Sequence, residues 1–271
     1  MIRPRLIATD LDGTLLGSDS RVSRLNRAAI ERATSQGIPV VIATGRPVRW
    51  LDVLDGLTAA HPLVIVSNGG GVYDLSAHEL VSVNPVAPEI ALEVVRRARA
   101  VFPEAGFAFE YADGYGREHN VPVRPDLADQ TIAGQVDDLA HRAPILKLLA
   151  YHSGIKAAGF AAGVRGVAAD LCTITHSASD DEYALLEISG PDVSKASALS
   201  RLCAELHVAA ADVVAFGDMP NDLEMLTWAG RGYRMREAHQ VLLDAGFPDA
   251  GPHDDSGVGR TILRLLGESD E

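Results

Sequence analysis

Four short apolar runs, each ending at polar or glycine residues, constrain the fold of this chain more than any other feature. The runs occupy residues 6–9, 39–43, 63–66 and 213–216, and they are followed by Asp10, Thr44-Gly45-Arg46, Ser67-Asn68-Gly69 and Gly217-Asp218. Runs of this length, rich in Val, Ile and Leu, are typical of strands buried on both faces of a parallel sheet. Loops at the carboxyl ends of such strands converge. The pattern therefore predicts an α/β fold that gathers these polar residues at one edge.

Helical patterns connect the predicted strands. Between the first two runs, apolar residues recur at helical spacing, with Ser23 placed as the N-cap and Gly37 as the C-terminal stop. Residues 194–206 and a segment that begins near Asn221 predict two further helices, on either side of the fourth run. This order agrees with a parallel sheet, whose strands need crossover connections.

The stretch from residue 83 to residue 188 has a different pattern. Residues 88–102 predict an amphipathic helix with Pro88 in its first turn. Strands are predicted at residues 107–111, 145–151 and 184–188, with Gly, Pro and Asp clusters between them. A segment of this length suffices for a separate α+β domain. We therefore expect a core of residues 1–82 and 189–271, interrupted by an inserted domain at 83–188.

The formal net charge of −13 bears on the choice of partner. The field of the whole molecule repels polyanions, so we expect neither nucleic acid nor an anionic membrane as a partner. No run reaches the roughly 18 apolar residues of a membrane span. Cys172 and Cys203 lack metal-ligand spacing and are expected to be reduced thiols. We expect a soluble, cytoplasmic monomer or homodimer, in which a small anionic ligand needs locally placed positive charge.

The segment Asp10-Leu11-Asp12-Gly13-Thr14, directly after the first predicted strand, carries the strongest chemical signal. An aspartate is already ionised at pH 7 and can attack phosphorus, giving an aspartyl phosphate that water hydrolyses. A second carboxylate can protonate the leaving oxygen and later take a proton from the attacking water. Asp10 and Asp12 fit these two roles. The alternative is an acidic turn that caps the following helix or faces solvent.

The segment Gly217-Asp218-Met219-Pro220-Asn221-Asp222 predicts the second half of a metal site. Mg²⁺ takes oxygen ligands and usually keeps several waters, so a site shared between this segment and the Asp10 segment is chemically reasonable. Without a cation, the four carboxylates would repel one another. The alternative is an Asx-type turn before a helix N-terminus, where acidic residues are favoured.

Two further segments offer positive charge and hydrogen-bond donors. Lys195, at the start of a predicted helix, could pair with Asp10 and with a phosphoryl oxygen; the alternative is a solvated helix residue. Thr44-Gly45-Arg46 could hold phosphate oxygens through a hydroxyl, backbone N–H groups and a guanidinium fork, although such turns are common.

Taken together and in this order, these segments resemble the haloacid dehalogenase-like (HAD) phosphatases. They resemble in particular the Cof-type subgroup, which carries its C2 cap between the second and third motifs. The resemblance covers nearly the whole chain, and it includes residues 10–15, 43–46, 67–74, Lys195, 217–222 and 255–259.

The resemblance implies a role for each matching residue. Asp10 is implied as the nucleophile, and Asp12 as the general acid and base that also gives its backbone carbonyl to the metal. The implied phosphate-holding residues are Thr44, Lys195 and Asn221. Asp218 is implied as a direct Mg²⁺ ligand, and Asp222 as a residue of the metal site that acts through water.

Other candidates come from neighbouring loops. Gly45, Arg46 and Asn68 are candidates for phosphate or substrate binding, and Arg117, within residues 115–119 of the inserted segment, is a candidate contact for the leaving group. The alternative for residues 115–119 is an exposed turn. The chain departs from the subgroup at Met235-Arg236-Glu237-Ala238, where related proteins usually have Met-Gly-Asn-Ala.

The sequence thus predicts an Mg²⁺-dependent phosphomonoester hydrolase for small phosphorylated metabolites, and the resemblance implies sugar phosphates as the leading class. The resemblance also implies an alternative enzyme, a phosphosugar mutase, which returns the phosphoryl group to its substrate. An alternative of another class is a catalytically silent protein that binds a phosphorylated ligand. A dehalogenase is disfavoured, because that chemistry needs neither the Asp12 acid nor an Mg²⁺ site.

Overall fold

The computed structural model describes residues 3–57, 59–122, 131–175 and 183–268. The chain divides into two compact units. The core unit consists of Met1–Val81 and Lys195–Glu271, and the inserted unit consists of Ser82–Ser194. Among the described residues, no helix has the length and hydropathy needed to cross a membrane.

In chain order, the strands are β1 (Leu6–Thr9), β2 (Val40–Ala43), β3 (Leu63–Val66), β4 (Gly71–Asp74), β5 (Glu79–Val83), β6 (Gly106–Tyr111), β7 (Tyr115–Arg117), β8 (Thr131–Ala133), β9 (Ile145–His152), β10 (Thr173–Thr175), β11 (Ala184–Ser189), β12 (Val213–Gly217) and β13 (Arg231–Arg234). The helices are α1 (Arg24–Ser35), α2 (Pro88–Val101), α3 (Val136–Ala140), α4 (Ala157–Ala168), α5 (Lys195–Glu205), α6 (Leu223–Trp228), α7 (Gln240–Asp244) and α8 (Gly257–Leu266).

The core sheet has the strand order β13-β12-β1-β2-β3-β4-β5. The five strands from β13 to β3 are parallel, and β4 is antiparallel to β3. All four apolar runs form neighbouring parallel strands, as the sequence predicts. The α/β fold, with a sheet flanked by helices, is therefore confirmed.

Both faces of the core sheet are buried, which explains why the strand sequences do not alternate. Along β1, Ile7 packs into one apolar cluster while Leu6 and Ala8 pack into another on the opposite face. Helices α1 and α8 contribute to the first cluster, and α5 and α6 contribute to the second. A strand covered on both sides excludes water from every side chain, so a continuous apolar run is favoured.

Helix α1 begins and ends close to its predicted limits. The Ser23 hydroxyl accepts a hydrogen bond from the Asn26 N–H (3.0 Å), which is the expected N-cap. Gly37 has a φ of 76° just after the helix, a conformation that favours glycine. The crossover from β1 to β2 therefore has one helix and short turns, and the residues after both strands lie at the same edge of the sheet.

The inserted unit has a sheet of its own, with the strand order β10-β11-β9-β6-β7-β8. Neighbouring strands are antiparallel except for the parallel pair β7 and β8. Helices α2 and α4 pack on one face, around Phe107, Phe109 and Phe160. The predicted helix at 88–102 and the three predicted strands are confirmed to within one or two residues.

Candidate active site

A tight turn carries the polar segment that follows β1. Residues Leu11–Leu15 form an irregular helical turn in which Gly13 has a φ of 71°. A side chain at Gly13 would also collide with the carboxylate of Asp218. Glycine is therefore required at this position by conformation and by space, and its absence of a side chain lets the β1 and β12 loops approach each other closely.

Lys195 lies fully buried between two carboxylates. Its Nζ donates hydrogen bonds to Asp10 Oδ1 and to Asp222 Oδ1, both at 2.7 Å. Burial acts to lower the pKa of Lys195, but the two carboxylates outweigh that effect and the pKa is raised. The ammonium is thus charged throughout the physiological pH range, and it links the first residue of α5 to the loops after β1 and β12.

Three carboxylates form a compact acidic cluster, composed of Asp10, Asp218 and Asp222, with one oxygen of each within 4.8 Å of the others. Asp218 Oδ1 accepts a hydrogen bond from the Thr14 hydroxyl (2.9 Å). Asp222 Oδ2 accepts from the backbone N–H groups of Asp218 (3.1 Å) and Met219 (3.0 Å). These bonds fix two of the three carboxylates in place.

The electrostatics of the acidic cluster favour an additional cation. Burial, together with the negative charges of Asp222 and Asp218, raises the pKa of Asp10 well above its usual range, although Lys195 opposes that shift. Burial and the charge of Asp222 raise the pKa of Asp218 to about 7. A single ammonium does not balance three carboxylates. Because these are oxygen donors of the kind that Mg²⁺ prefers, the residues present fit a magnesium site.

The side chain of Asp12 is not part of the acidic cluster and is 56% exposed. The guanidinium of Arg46 holds both carboxylate oxygens, with Nε donating to Oδ2 (2.8 Å) and Nη2 to Oδ1 (2.6 Å). Arg46 also donates to the carbonyl of Trp50 (3.0 Å). The guanidinium has five N–H groups, and these bonds use three of them. The phosphate role of Arg46 and the metal contact of the Asp12 carbonyl both stay predictions.

The loops after β2, β3 and β12 meet beside the acidic cluster. The Thr44 hydroxyl, which is fully buried, accepts a hydrogen bond from the Arg46 N–H (3.0 Å). Asn221 Nδ2 donates to Asn68 Oδ1 (3.0 Å), and a side chain at Gly45 would lie 3.1 Å from that oxygen. The structure therefore brings Thr44, Gly45, Asn68 and Asn221 together, as the strand ends predict.

Arg117 belongs to the inserted unit and lies on β7. Its Nη1 donates to the backbone carbonyls of Glu118 and Val121, both at 3.0 Å. The predicted contact between Arg117 and a leaving group stays a prediction.

The two charged residues that replace Gly and Asn of the subgroup pattern contact the segment between α7 and α8. Arg236 Nε donates to Asp249 Oδ2 (3.2 Å), and Glu237 lies 3.4 Å from His253 Nδ1.

Thr14 has no role in the sequence prediction, but in the structure its hydroxyl donates a hydrogen bond to the Asp218 carboxylate. The signal was available, because Thr14 stands in the same segment as Asp10.

The chain is similar to known proteins over most of its length. The family model for haloacid dehalogenase-like hydrolases matches residues 7–262. A putative phosphatase of Haemophilus influenzae is 28% identical over 97% of each chain. An HMP-PP phosphatase of Cronobacter sakazakii is 29% identical over 88% of this chain and 86% of its own.

Solved structures share the fold. SMU.1108c from Streptococcus mutans has a TM-score of 0.82 at 20% identity and covers 98% of this chain and all of its own. The HAD subclass IIB sugar phosphatase BT4131 has a TM-score of 0.78 at 17% identity, over 97% of this chain and 99% of its own.

Proposed function

The chain belongs to the haloacid dehalogenase-like hydrolases and is a phosphatase of that family, and from this we propose that it hydrolyses small phosphomonoesters through an aspartyl phosphate on Asp10, with Mg²⁺ as its cofactor. The observation that carries the proposal is the position of the Asp10 carboxylate, held by Lys195 at 2.7 Å beside Asp218 and Asp222. A solvent-facing acidic turn would not explain a buried ammonium between two of these carboxylates.

The nucleophilic step follows from the contacts of Asp10. Because Lys195 bonds Oδ1, Oδ2 is the oxygen that we assign to attack on phosphorus. The new Oδ2–P bond forms as the bond from phosphorus to the leaving oxygen breaks, and the leaving group departs with that electron pair. The ammonium of Lys195 remains in place and stabilises the charge that develops on the phosphoryl oxygens.

Asp12 is the residue that we assign to proton transfer. It gives a proton to the leaving oxygen, and in the second step it accepts a proton from the water that attacks the aspartyl phosphate. Arg46 bonds both oxygens of this carboxylate. Each carboxylate oxygen has a second lone pair, so the carboxyl can take up and release a proton while Arg46 remains bound.

Asp10 and Asp218 would hold Mg²⁺ directly, with the Asp12 carbonyl, and Asp222 would act through water. When bound, the ion offsets the negative charge of the acidic cluster and of the phosphoryl group. The phosphoryl oxygens would be held by Lys195, the Thr44 hydroxyl, the backbone of Gly45 and the amide of Asn221. These groups come from the loops after two strands, β2 and β12, and from the start of α5.

Sugar phosphates are the substrate class that we propose to test first. BT4131 is named a sugar phosphatase, and the relative from Cronobacter sakazakii is named an HMP-PP phosphatase, so the neighbours act on small phosphorylated molecules. We further propose that residues 83–188 act as a cap that selects the leaving group.

The proposal is tested by phosphate release from p-nitrophenyl phosphate and from a panel of sugar and nucleotide phosphates, with Mg²⁺ and with a chelator. We expect release that requires Mg²⁺ and falls by at least about 10³-fold in Asp10→Asn. A protein that releases no phosphate from any ester would contradict the hydrolase. Transfer between positions of a phosphosugar, without stoichiometric release, would indicate the mutase instead.

A further inference from the structure

The turn after β3 has an unusual backbone. Ser67, Asn68 and Gly69 have consecutive φ values of 49°, 57° and 97°. Ser67 and Asn68 carry side chains and are buried. A side chain in the left-handed region costs free energy and persists only where the surrounding structure holds it, often at functional sites. The contacts of this turn must therefore hold it in the strained conformation.

Backbone hydrogen bonds explain how the turn is held. The N–H of Ser67 donates to the carbonyl of Arg46 (3.0 Å), and the N–H of Asn68 donates to the carbonyl of Thr44 (3.1 Å). Both bonds dock the turn on the loop after β2. They do not depend on a side chain at position 68, and glycine would adopt the same conformation with less strain. The backbone alone gives no reason for asparagine there.

The Asn68 side chain supplies that reason. Its Oδ1 accepts a hydrogen bond from Asn221 Nδ2 (3.0 Å), joining the β3 loop to the β12 loop. Gly45 leaves room for this bond, because its missing side chain would lie 3.1 Å from Asn68 Oδ1. Asn221 is itself buried, and no hydrogen-bond partner for its Oδ1 is present among the described residues. The bond to Asn68 thus sets the plane of the Asn221 amide.

We infer that Asn68 is a positioning residue, which orients Asn221 for the phosphoryl group and does not itself touch the substrate. The inference rests on the proposed function, in which Asn221 holds a phosphoryl oxygen. The Asn221 amide nitrogen carries two N–H groups. One is bound by Asn68, and the other is then fixed in direction for a phosphoryl oxygen.

The test compares Asn68→Gly with the wild type in steady-state kinetics and in inhibition by inorganic phosphate. Glycine keeps the left-handed backbone, but the lost bond leaves the buried Asn221 amide with one partner fewer, so we expect a folded protein with a melting temperature lower by about 2–4 °C. A misdirected Asn221 amide loses its hydrogen bond to the phosphoryl group, which predicts about tenfold lower kcat/KM and a similarly weaker inhibition by phosphate. His207→Gly is the matched control, because His207 also has a left-handed φ, of 54°, at the end of α5. We expect that control to keep wild-type kinetics.

A double-mutant cycle separates positioning from direct contact. If Asn68 acts through Asn221, Asn68→Gly has no further effect on kcat/KM in an Asn221→Ala background. Wild-type kinetics in Asn68→Gly, or an equal tenfold loss in the Asn221→Ala background, would overturn the inference while the proposed function stands. A wild-type protein that neither releases nor binds phosphate would overturn the proposed function itself.

Discussion

Replacement of Lys195 by methionine tests the electrostatic account of the site most sharply. The substitution roughly preserves volume but removes the cation between Asp10 and Asp222. Loss of one partner from a buried ion pair costs about 3–5 kcal/mol. Lys195 has two partners, but protonation of a carboxyl limits the loss, so we expect the same range for the whole change. A shift of the melting temperature on the order of 10 °C follows for a chain of this size.

The deficit of Lys195→Met should depend on pH. The pKa of Asp10 is raised by burial, and Lys195 is the group that opposes that shift. Without the ammonium, the pKa of Asp10 rises further, so the folded protein holds this proton to higher pH and its stability falls further as pH rises. We expect a larger deficit at pH 8 than at pH 5.5, measured by urea unfolding followed by circular dichroism, and a partial recovery with Mg²⁺.

Lys147→Met is the matched control for this experiment. Lys147 is also buried, and it pairs with the buried Glu187 in the inserted unit. We expect a comparable loss of stability there, but no recovery with Mg²⁺. If Lys195→Met were as stable as the wild type at pH 8, or if Mg²⁺ restored both variants equally, the electrostatic account would be refuted.

Two further outcomes are expected. Burial is the main cause that raises the pKa of Asp218 from its ordinary value of 3.8 to about 7, so the metal-free protein should lose stability as pH rises between these values. Mg²⁺ should therefore raise the melting temperature more at pH 8 than at pH 5.5. An equal rise at both pH values would contradict this expectation. Burial raises the pKa of the Cys172 and Cys203 thiols to about 12 and about 11, so at pH 8 neither should react with a thiol reagent until the protein is unfolded; rapid labelling of the folded protein would show that these thiols are accessible.

The core strands could be predicted because burial on both sheet faces leaves a direct trace in the sequence. No comparable apolar run predicts β4, β13 or α8. In β4, only Gly71 is buried and the other three residues are partly exposed, so the strand lacks an apolar run and depends on its pairing with β3. Such tertiary pairing leaves no local pattern that a reader of the sequence can find.

The meeting of Asp10, Asp218 and Asp222 was predictable, because strand ends of a parallel sheet share one edge. Lys195 starts α5 and follows no strand of that sheet, so its place there was expected only from its charge and from the family resemblance. The partners of individual side chains were not predictable. Any arginine can bind a carboxylate or a phosphate through two N–H groups, and only the loop geometry shows that Arg46 binds the Asp12 carboxylate. Likewise, the left-handed turn at Ser67 and Asn68 has no signal in composition, since asparagine is common in many kinds of turn.

In the proposed reaction, Asp10 becomes phosphorylated during turnover. The direct measurement is to quench the enzyme in the steady state with a phosphomonoester, reduce the protein with borohydride and map its peptides by mass spectrometry. An aspartyl phosphate is reduced to homoserine under these conditions, so we expect homoserine at position 10. With p-nitrophenyl phosphate, whose leaving group departs without a proton from Asp12, we expect a larger amount in Asp12→Ala, because hydrolysis of the intermediate lacks its base. Continued phosphate release with aspartate unmodified at position 10, or with the modification at another residue, would show that Asp10 is not the nucleophile.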